Sequence, residues 1–459
     1  MDPDLINAAY IVAFVLFIVG LRMLRGPRTA VTGNYVAAVG MFIAVVATLL
    51  QDGVGDFGLI AVGLAVGTAI GIPSARSVKM TQVPQMVALF NGVGGGAVAL
   101  ISYAEFREAG GDIALERLIP ILFAAIIGSI SFWGSNVAFA KLQELTKARP
   151  HIPAAVNGGL AAVVIGLAVA VAAGAESEWL FLAILILAGL LGVLAVFPIG
   201  GADMPVVIST LNAFTGLSAA AAGMALDNIA LIVAGMLVGA SGSILTKQMA
   251  DAMNRSIGNV FFGGFGTGGS ASAGPASDDG ADRAVRSTSA ADVAIQLSYA
   301  ERVVIVPGYG MAVAQAQRTV ADLAADLEKR GVQVTYAIHP VAGRMPGHMN
   351  VLLAEADVPY EQLKEMEEAN GEFARTDVSL VIGANDVTNP AARTVADSPI
   401  YGMPILDVDK SRSIIVLKRS MSSGFAGIDN PLFYGEKTAL LFGDAKASVA
   451  DVLSEMQNL

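Results

Sequence analysis

The stretch RVVIVPGYGMAV, residues 302–313, joins a β-branched run to a Pro-Gly-Tyr-Gly turn and leads into a helical pattern, AVAQAQRTVADLAADLEKRG, at 312–331. An unbroken run of β-branched apolar residues marks a strand buried on both faces. Glycines directly after it permit a tight turn and close backbone approach, and the following helix offers free N–H groups to an anion such as a pyrophosphate. The stretch therefore reads as the first strand, turn and helix of a dinucleotide-binding sheet. It departs from the usual pattern at one point, because Val313 stands where a third glycine or an alanine is expected.

Working outward, four more such runs alternate with helical patterns: VQVTYAI at 332–338, VSLVI at 378–382, SIIVL at 413–417 and TALLF at 438–442. A doubly wound, Rossmann-like parallel α/β sheet is the economical fold. The second strand ends near His339 without an acidic residue to grip a ribose 2′-hydroxyl, which favours a 2′-phosphate and hence NADP over NAD. Lys418-Arg419-Ser420 follows the SIIVL strand. Alone, a Lys-Arg pair is a solvated strand end; at this edge of such a sheet, two cations and a hydroxyl suit a phosphate. Gly- and Pro-rich loops at 341–350 and 383–390 follow strands at the same edge. Within them, His348 is either a titrating group or a residue that opens a short helix. Asp386 either caps the helix beginning near Pro390 or senses cofactor charge.

Upstream the composition changes. Of 459 residues, 54% are hydrophobic and 15% charged, and the mean hydropathy is +0.64. Long apolar runs fill the first 250 residues or so, whereas charge is dense from about Asp278. About nine candidate membrane spans lie near 5–24, 34–50, 57–72, 83–103, 118–140, 154–173, 179–199, 205–223 and 228–249. Arg22, Arg25 and Arg28, Arg76 and Lys79, Lys141, Lys147 and Arg149, and Lys247 and Arg255 all fall on one side, which the positive-inside rule makes cytoplasmic. The opposite loops carry Asp52, Asp56, Glu105 to Arg117, Glu176, Glu178 and Asp227. An odd number of spans puts the C-terminal domain in the cytoplasm. Gly63/Gly67/Gly71, Gly92/Gly96 and Gly235/Gly239 have the spacing that lets helices approach closely. The expected organisation is a membrane domain over 1–262, a Gly/Ser/Ala-rich tether over 263–287 and a nucleotide-binding domain over 288–459.

The net charge of −11 supplies no basic stripe for a nucleic acid, and the absence of cysteine removes disulfides, thiolate metal sites and cysteine nucleophiles. No metal site is expected. Asp2 and Asp4 before the first apolar run are unlike a signal peptide, so that run reads as a retained span, and a bacterial inner membrane is the expected location.

Six stretches together resemble the β subunit of proton-translocating nicotinamide nucleotide transhydrogenase: GGADMPVV at 200–207, PGYGMAVAQAQ at 307–317, HPVAGRMPGHMNVLLAEA at 339–356, GANDVTNPAA at 383–392, KRSMSSGFAG at 418–427 and GDAKAS at 443–448. The resemblance covers essentially the whole chain. It implies hydride transfer between NAD(H), held by an α subunit, and NADP(H), held by this chain, coupled to proton movement across the bilayer. It also implies a dimer of αβ units. Carried over residue by residue, the implied NADP(H) contacts are the turn Gly308, Tyr309, Gly310, Met311, Ala312 and Val313, and the loop Val341, Ala342, Gly343, Arg344, Met345, Pro346 and Gly347. They continue with Gly383, Ala384, Asn385, Asp386 and Val387, with Gly402 and Met403, and with Lys418, Arg419, Ser420, Met421, Ser422, Ser423, Gly424 and Phe425, ending at Asp444 and Ala445. Lys418, Arg419 and Ser420 would hold the 2′-phosphate. The dinucleotide is expected to lie reversed relative to ordinary Rossmann enzymes, which would account for Val313. Hydride passes directly between nicotinamides, so no catalytic side chain is expected.

Polar residues in the spans are Asn91, Ser129, Ser131, Ser135, Asn136, Ser209, Thr210, Asn212, Thr215, Ser218 and Asn228, with Asp203 and Asp227 near membrane edges. Most such hydroxyls bond their own helix. Relatives place a histidine that takes part in proton transfer at the position of Asn91; here His151, His339 and His348 all lie outside the spans. Asn91 and Asn228 are therefore expected to line a hydrated path whose titrating group comes from a partner subunit's helix. The competing reading is a transporter or channel with a regulatory nucleotide-binding domain, which would carry a selectivity filter or charged substrate site among its spans.

Overall fold

Hydrocarbon offers no partner for a bare N–H or C=O, so each apolar run closes its hydrogen bonds within a helix. In the computed structural model the described residues are all except 1–2, 25, 52, 79–81, 111–112, 144, 147–149, 151, 176, 201–202, 253–255, 263–284, 344–346, 397, 399 and 425. Arg344, Met345, Pro346 and Phe425 of the expected cofactor loops therefore lie outside the described residues, as do Arg25, Asp52, Lys79, Lys147, Arg149, His151, Glu176 and Arg255. Two compact units result, the first reaching Thr246 and the second containing the chain from Val285 onward.

Among the described residues, nine helices are long and apolar enough to cross a membrane. They are α1 (Pro3–Leu24), α2 (Pro27–Leu49), α3 (Phe57–Ser77), α4 (Val83–Glu108), α5 (Leu115–Leu142), α6 (Ala154–Ala172), α7 (Glu178–Val196), α8 (Met204–Ala225) and α9 (Ile229–Ala252). Several outrun the apolar stretches that announced them. The second span begins at Pro27 rather than near residue 34, because a proline in the first turn has no N–H to leave unbonded. The fourth continues past residue 103 to Glu108, its backbone bonding extending through polar residues such as Glu105, which meets Arg117 of α5 at 2.7 Å.

Helix α5 is central, packing on α4, α7 and α8. Small residues make this possible: a Cβ built on Gly128 of α5 would lie 2.7 Å from the Gly95 carbonyl of α4. The Gly235/Gly239 pair works as its spacing implied, since a Cβ on Gly235 would lie 2.5 Å from the Ala220 nitrogen of α8. The Gly63/Gly67/Gly71 series does not, for among the described residues no atom lies within 4 Å of a Cβ built on any of the three.

After α10 (Ile257–Phe262) and α11 (Ala290–Ser298), the second unit forms a six-stranded sheet, all parallel, in the order β3-β2-β1-β4-β5-β6. Its strands are β1 (Arg302–Pro307), β2 (Gln333–Ile338), β3 (Leu363–Glu365), β4 (Val378–Ile382), β5 (Ser413–Lys418) and β6 (Thr438–Phe442). Five match the β-branched runs; β3 was not expected, because a three-residue, partly exposed edge strand reading Leu-Lys-Glu has no apolar run to reveal it. Val303 to Val306 are all buried, and Val304, Val306, Val381, Val416 and Leu440 join Phe373 and Phe433 in one core layer. Helix α11 packs with α17 (Ala445–Gln457), and α17 with α13 (Gln317–Lys329). The chain enters this sheet early. Ser287 pairs in parallel with Leu440, so the last three residues of the expected 263–287 tether belong to the sheet unit and the rest lies outside the described residues.

The helical pattern after β1 is not one helix, as its sequence suggested. A five-residue α12 (Tyr309–Val313) ends in a turn where Gln315 takes φ +52°, and α13 starts afresh at Gln317.

Candidate nucleotide site

Because every strand is parallel, the segments leaving β1, β2, β4, β5 and β6 all emerge at one edge, and the chain's direction across the sheet reverses between β1 and β4. Such a switch point is where an open α/β sheet makes its crevice. The two turns that flank it are in direct backbone contact. Gly308 N–H donates to the Ile382 carbonyl at 2.9 Å, and Gly310 N–H to Gly383 at 3.0 Å. A Cβ on Gly308 would sit 2.4 Å from Ala384 Cα, and one on Gly310 2.7 Å from Gly383 Cα, while Gly383 itself takes φ +68°.

The glycines were expected to permit close backbone approach, and the approach they make within the chain is to the neighbouring turn. Two N–H groups expected to be offered to a pyrophosphate are already engaged, Gly310's with Gly383 and Met311's with Gly308 at 3.0 Å. Val313 is 47% exposed at the end of α12, so its side chain is not wedged between helix and strand.

The β2 loop is held from below by His339, which is 1% exposed. Val341 N–H donates to its Nδ1 at 3.2 Å, so the proton sits on Nε2, which donates to the Pro404 carbonyl at 2.8 Å. Burial pulls this imidazole down to about 4, against the opposing pull of the Pro404 carbonyl. The next histidine, His348, does open the short helix α14 (His348–Glu355), after Gly347 at φ +68°. It is buried, its ring 6.2 Å from that of Tyr309, and Gly343 at φ +110° packs against it, so that a Cβ there would lie 2.5 Å from Nδ1. His348 thus joins the β1 turn to the β2 loop.

Between β3 and β5 run α15 (Met366–Asn370) and α16 (Ala391–Thr394). The β4 and β5 loops interlock. Asp386 does not cap α16, whose first turn has no side-chain cap; just ahead of it, Asn389 Oδ1 accepts the Ala391 N–H at 3.0 Å in a local turn. Asp386 Oδ2 instead accepts the N–H of Ala426 from the β5 loop at 2.9 Å. Lys418 points inward, donating to the Ser422 carbonyl at 2.9 Å with its ammonium 4.3 Å over the Phe433 ring. Partial burial lowers its pKa, with Asp429 and Asp386 opposing. Arg419 and Ser420 stay exposed, and the Ser420 and Ser422 hydroxyls share a 2.9 Å hydrogen bond. Asp444 receives the Lys446 and Ala447 N–H groups and caps α17.

Gly402 and Met403 line a cleft of about 460 Å³ with Asn370, Arg393, Tyr401 and Asp407. Asn370 forms one wall by bonding the Ile405 carbonyl at 3.0 Å and the Asp407 N–H at 2.9 Å, and Arg393 is paired with Asp407 and Asp409. Sequence reasoning missed Asn370, Asn389, Arg393, Tyr401 and Asn430. The Asn-Pro dipeptides at 389–390 and 430–431 were a usable turn signal for two of them.

In the helical unit, the two asparagines expected on the proton path lie apart. Asn91 Nδ2 donates to Ser135 Oγ at 2.9 Å and Ser131 Oγ at 3.4 Å, and Ser131 Oγ lies 2.6 Å from Thr215 Oγ1, which joins α4, α5 and α8. Asn228 is elsewhere, at the α8–α9 turn, where its Oδ1 receives the Leu231 N–H at 2.9 Å. Thr210, Ser218 and Asn136 bond carbonyls of their own helices, as expected of most such groups. Among the described residues no cluster of His, Asp or Glu could hold a metal ion.

Comparison with known proteins adds two findings. A family model described as NAD(P) transhydrogenase beta subunit matches residues 6–455. Two curated relatives, both named NAD(P) transhydrogenase subunit beta and both from Rhodospirillum rubrum, one of them from a named strain, are 49% identical over 470 residues, covering 99% of this chain and 100% of theirs.

Proposed function

The chain belongs to the NAD(P) transhydrogenase beta-subunit family, and we propose that within that enzyme its parallel sheet binds NADP(H) while a partner α subunit presents NAD(H). One observation carries this reading: the paired glycine turns at the β1–β4 switch point, with Val341–Gly343, Gly383–Val387 and Lys418–Gly424 following strands at the same edge. The 2′-phosphate is assigned to exposed Arg419 and Ser420, with Lys418 holding the loop that carries them. That division follows from Lys418 being bonded to Ser422 and packed over Phe433.

When bound, the nicotinamide supplies the hydride chemistry, and this chain orients the ring and keeps water from it. Proton movement is assigned to the helical unit through Asn91 and its Ser131, Ser135 and Thr215 partners, with the titrating group contributed by a partner helix. Asn228 keeps a capping role at the α8–α9 turn and lies on that path only as an end point. The sheet is assigned to the cytoplasmic side of a bacterial inner membrane, in a dimer of αβ units. A channel or transporter reading is not favoured.

The test is spectroscopic. Membranes holding the full chain and its α subunit should reduce an NAD analogue at the expense of NADPH, and the purified chain should bind NADP(H) far more tightly than NAD(H). Equal affinity for the two would overturn the assignment.

A further inference from the structure

Two Asn-Pro dipeptides stand in loops that leave adjacent strands, Asn389-Pro390 after β4 and Asn430-Pro431 after β5. Their asparagines are built alike. Each is buried, at 0% and 1% exposure, and each uses Oδ1 to accept the N–H two residues on, from Ala391 and from Leu432, both at 3.0 Å. The intervening proline has no N–H to compete, so this local turn leaves the amide Nδ2 to reach elsewhere.

Both reach into the opposite loop. Asn389 Nδ2 donates to the Asp429 carbonyl at 3.0 Å, and Asn430 Nδ2 donates to the backbone oxygen and Oδ1 of Asn385, both at 3.1 Å. Each loop thus grips the other at its root. Asn385 is held there with φ −139° and ψ −79°. Farther out, the loops meet again through Asp386 and the Ala426 N–H, and through Gly424, where a Cβ would come within 2.5 Å of Asp386 Oδ1.

We propose that Asn389 and Asn430 are positioning residues that bind the β5 loop to the β4 loop and so set the rate at which NADP(H) leaves. The inference rests on the reading of these loops as the cofactor site. A buried amide bonded at both ends admits one loop geometry, and its removal strands a donor or acceptor at the root of both loops. Because the pair acts on the loops, its effect falls on one cofactor and not on the other.

The experiment uses the full chain reconstituted with its α subunit. Asn430→Leu removes the bonds to Asn385; Asn389→Asp keeps the shape and the acceptor for Ala391 but faces the Asp429 carbonyl with an oxygen. Stopped-flow release of NADPH should be about tenfold faster in both, as expected for losing a buried amide bond. KM for NADPH should rise with it, while KM for NADH stays within about twofold, a split that general destabilisation does not give. Release within about twofold of wild type in both variants overturns the proposal. If Asn430→Leu fails to fold, the isosteric Asn389→Asp decides alone. A wild-type chain that does not bind NADP(H) would sink the cofactor assignment itself, whereas normal wild-type binding with unchanged variants sinks only the role of the two asparagines.

Discussion

His339 and Pro404, 65 residues apart, are joined by a 2.8 Å hydrogen bond from imidazole Nε2–H to carbonyl, while Nδ1 of the same ring receives the Val341 N–H. Both bonds need the neutral ring: a proton on Nδ1 would set two donors face to face. The end of β2 and the Gly402–Met403 loop are therefore fastened together by a side chain that must stay uncharged.

This has a consequence for pH. His339 is pulled by burial from 6.5 to about 4, so the folded state resists protonation that the unfolded state accepts. Its contribution to stability is full above pH 6.5, falls as the pH drops below that value, and has disappeared near pH 4, an amount of about 3 kcal/mol. Hydrogen exchange of the Val341 amide, followed from pH 7 to 4, should show protection falling over that window. In His339→Gln the window should vanish.

The glycine contact at the switch point makes a contrasting pair of substitutions. Gly308→Ala puts a methyl 2.4 Å from Ala384 Cα, backbone that cannot move aside, and should destabilise the sheet unit by about 1–3 kcal/mol with loss of NADP(H) affinity. Val313→Ala alters a half-exposed side chain and should change stability by less than about 0.5 kcal/mol. Urea unfolding monitored by hydrogen exchange in β1 and β4 separates the two.

Arg419→Ala should weaken NADP+ binding about 10- to 100-fold while leaving the weak binding of NAD+ unchanged, since a hydrogen bond to a charged group is worth about 1.5–3 kcal/mol. Lys418→Ala should act differently, loosening the loop it braces through Ser422 and Phe433. Its affinity for both dinucleotides should fall, and calorimetric titration of the full-length variants reads this difference.

Asn91→Leu should leave hydride exchange in detergent intact while abolishing proton pumping in reconstituted vesicles. Removal of the carboxamide breaks the side-chain hydrogen bonds that run from α4 to Ser131 and Ser135. Full pumping by that variant would remove Asn91 from the path.

Much of this architecture was legible in the order of residues. Nine apolar runs, five β-branched strands and the glycines after β1 are local signals, each reporting the solvent or the curvature its own segment requires. The exceptions are instructive. Three-residue β3 has no pattern of its own, and the break at Gln315 interrupts a stretch rich in Ala, Gln and Leu that reads as continuous helix. Gly63, Gly67 and Gly71 carry the spacing of a packed face, yet among the described residues a Cβ built on any of them would meet no atom of another segment within 4 Å, whereas Gly95 and Gly128, outside the expected pairs, bring α4 and α5 into close contact.

What the sequence alone determined is therefore the two solvents, the helix and strand content, and the edge at which the loops gather, because hydrophobicity and backbone preference act within a segment. The tertiary structure decided which loops touch. That Asn389 meets Asp429, that Asn430 meets Asn385 and that His339 reaches Pro404 depends on where distant segments arrive once the sheet is ordered. A hydrogen bond of about 3 Å is set by that arrival, and no local pattern encodes it.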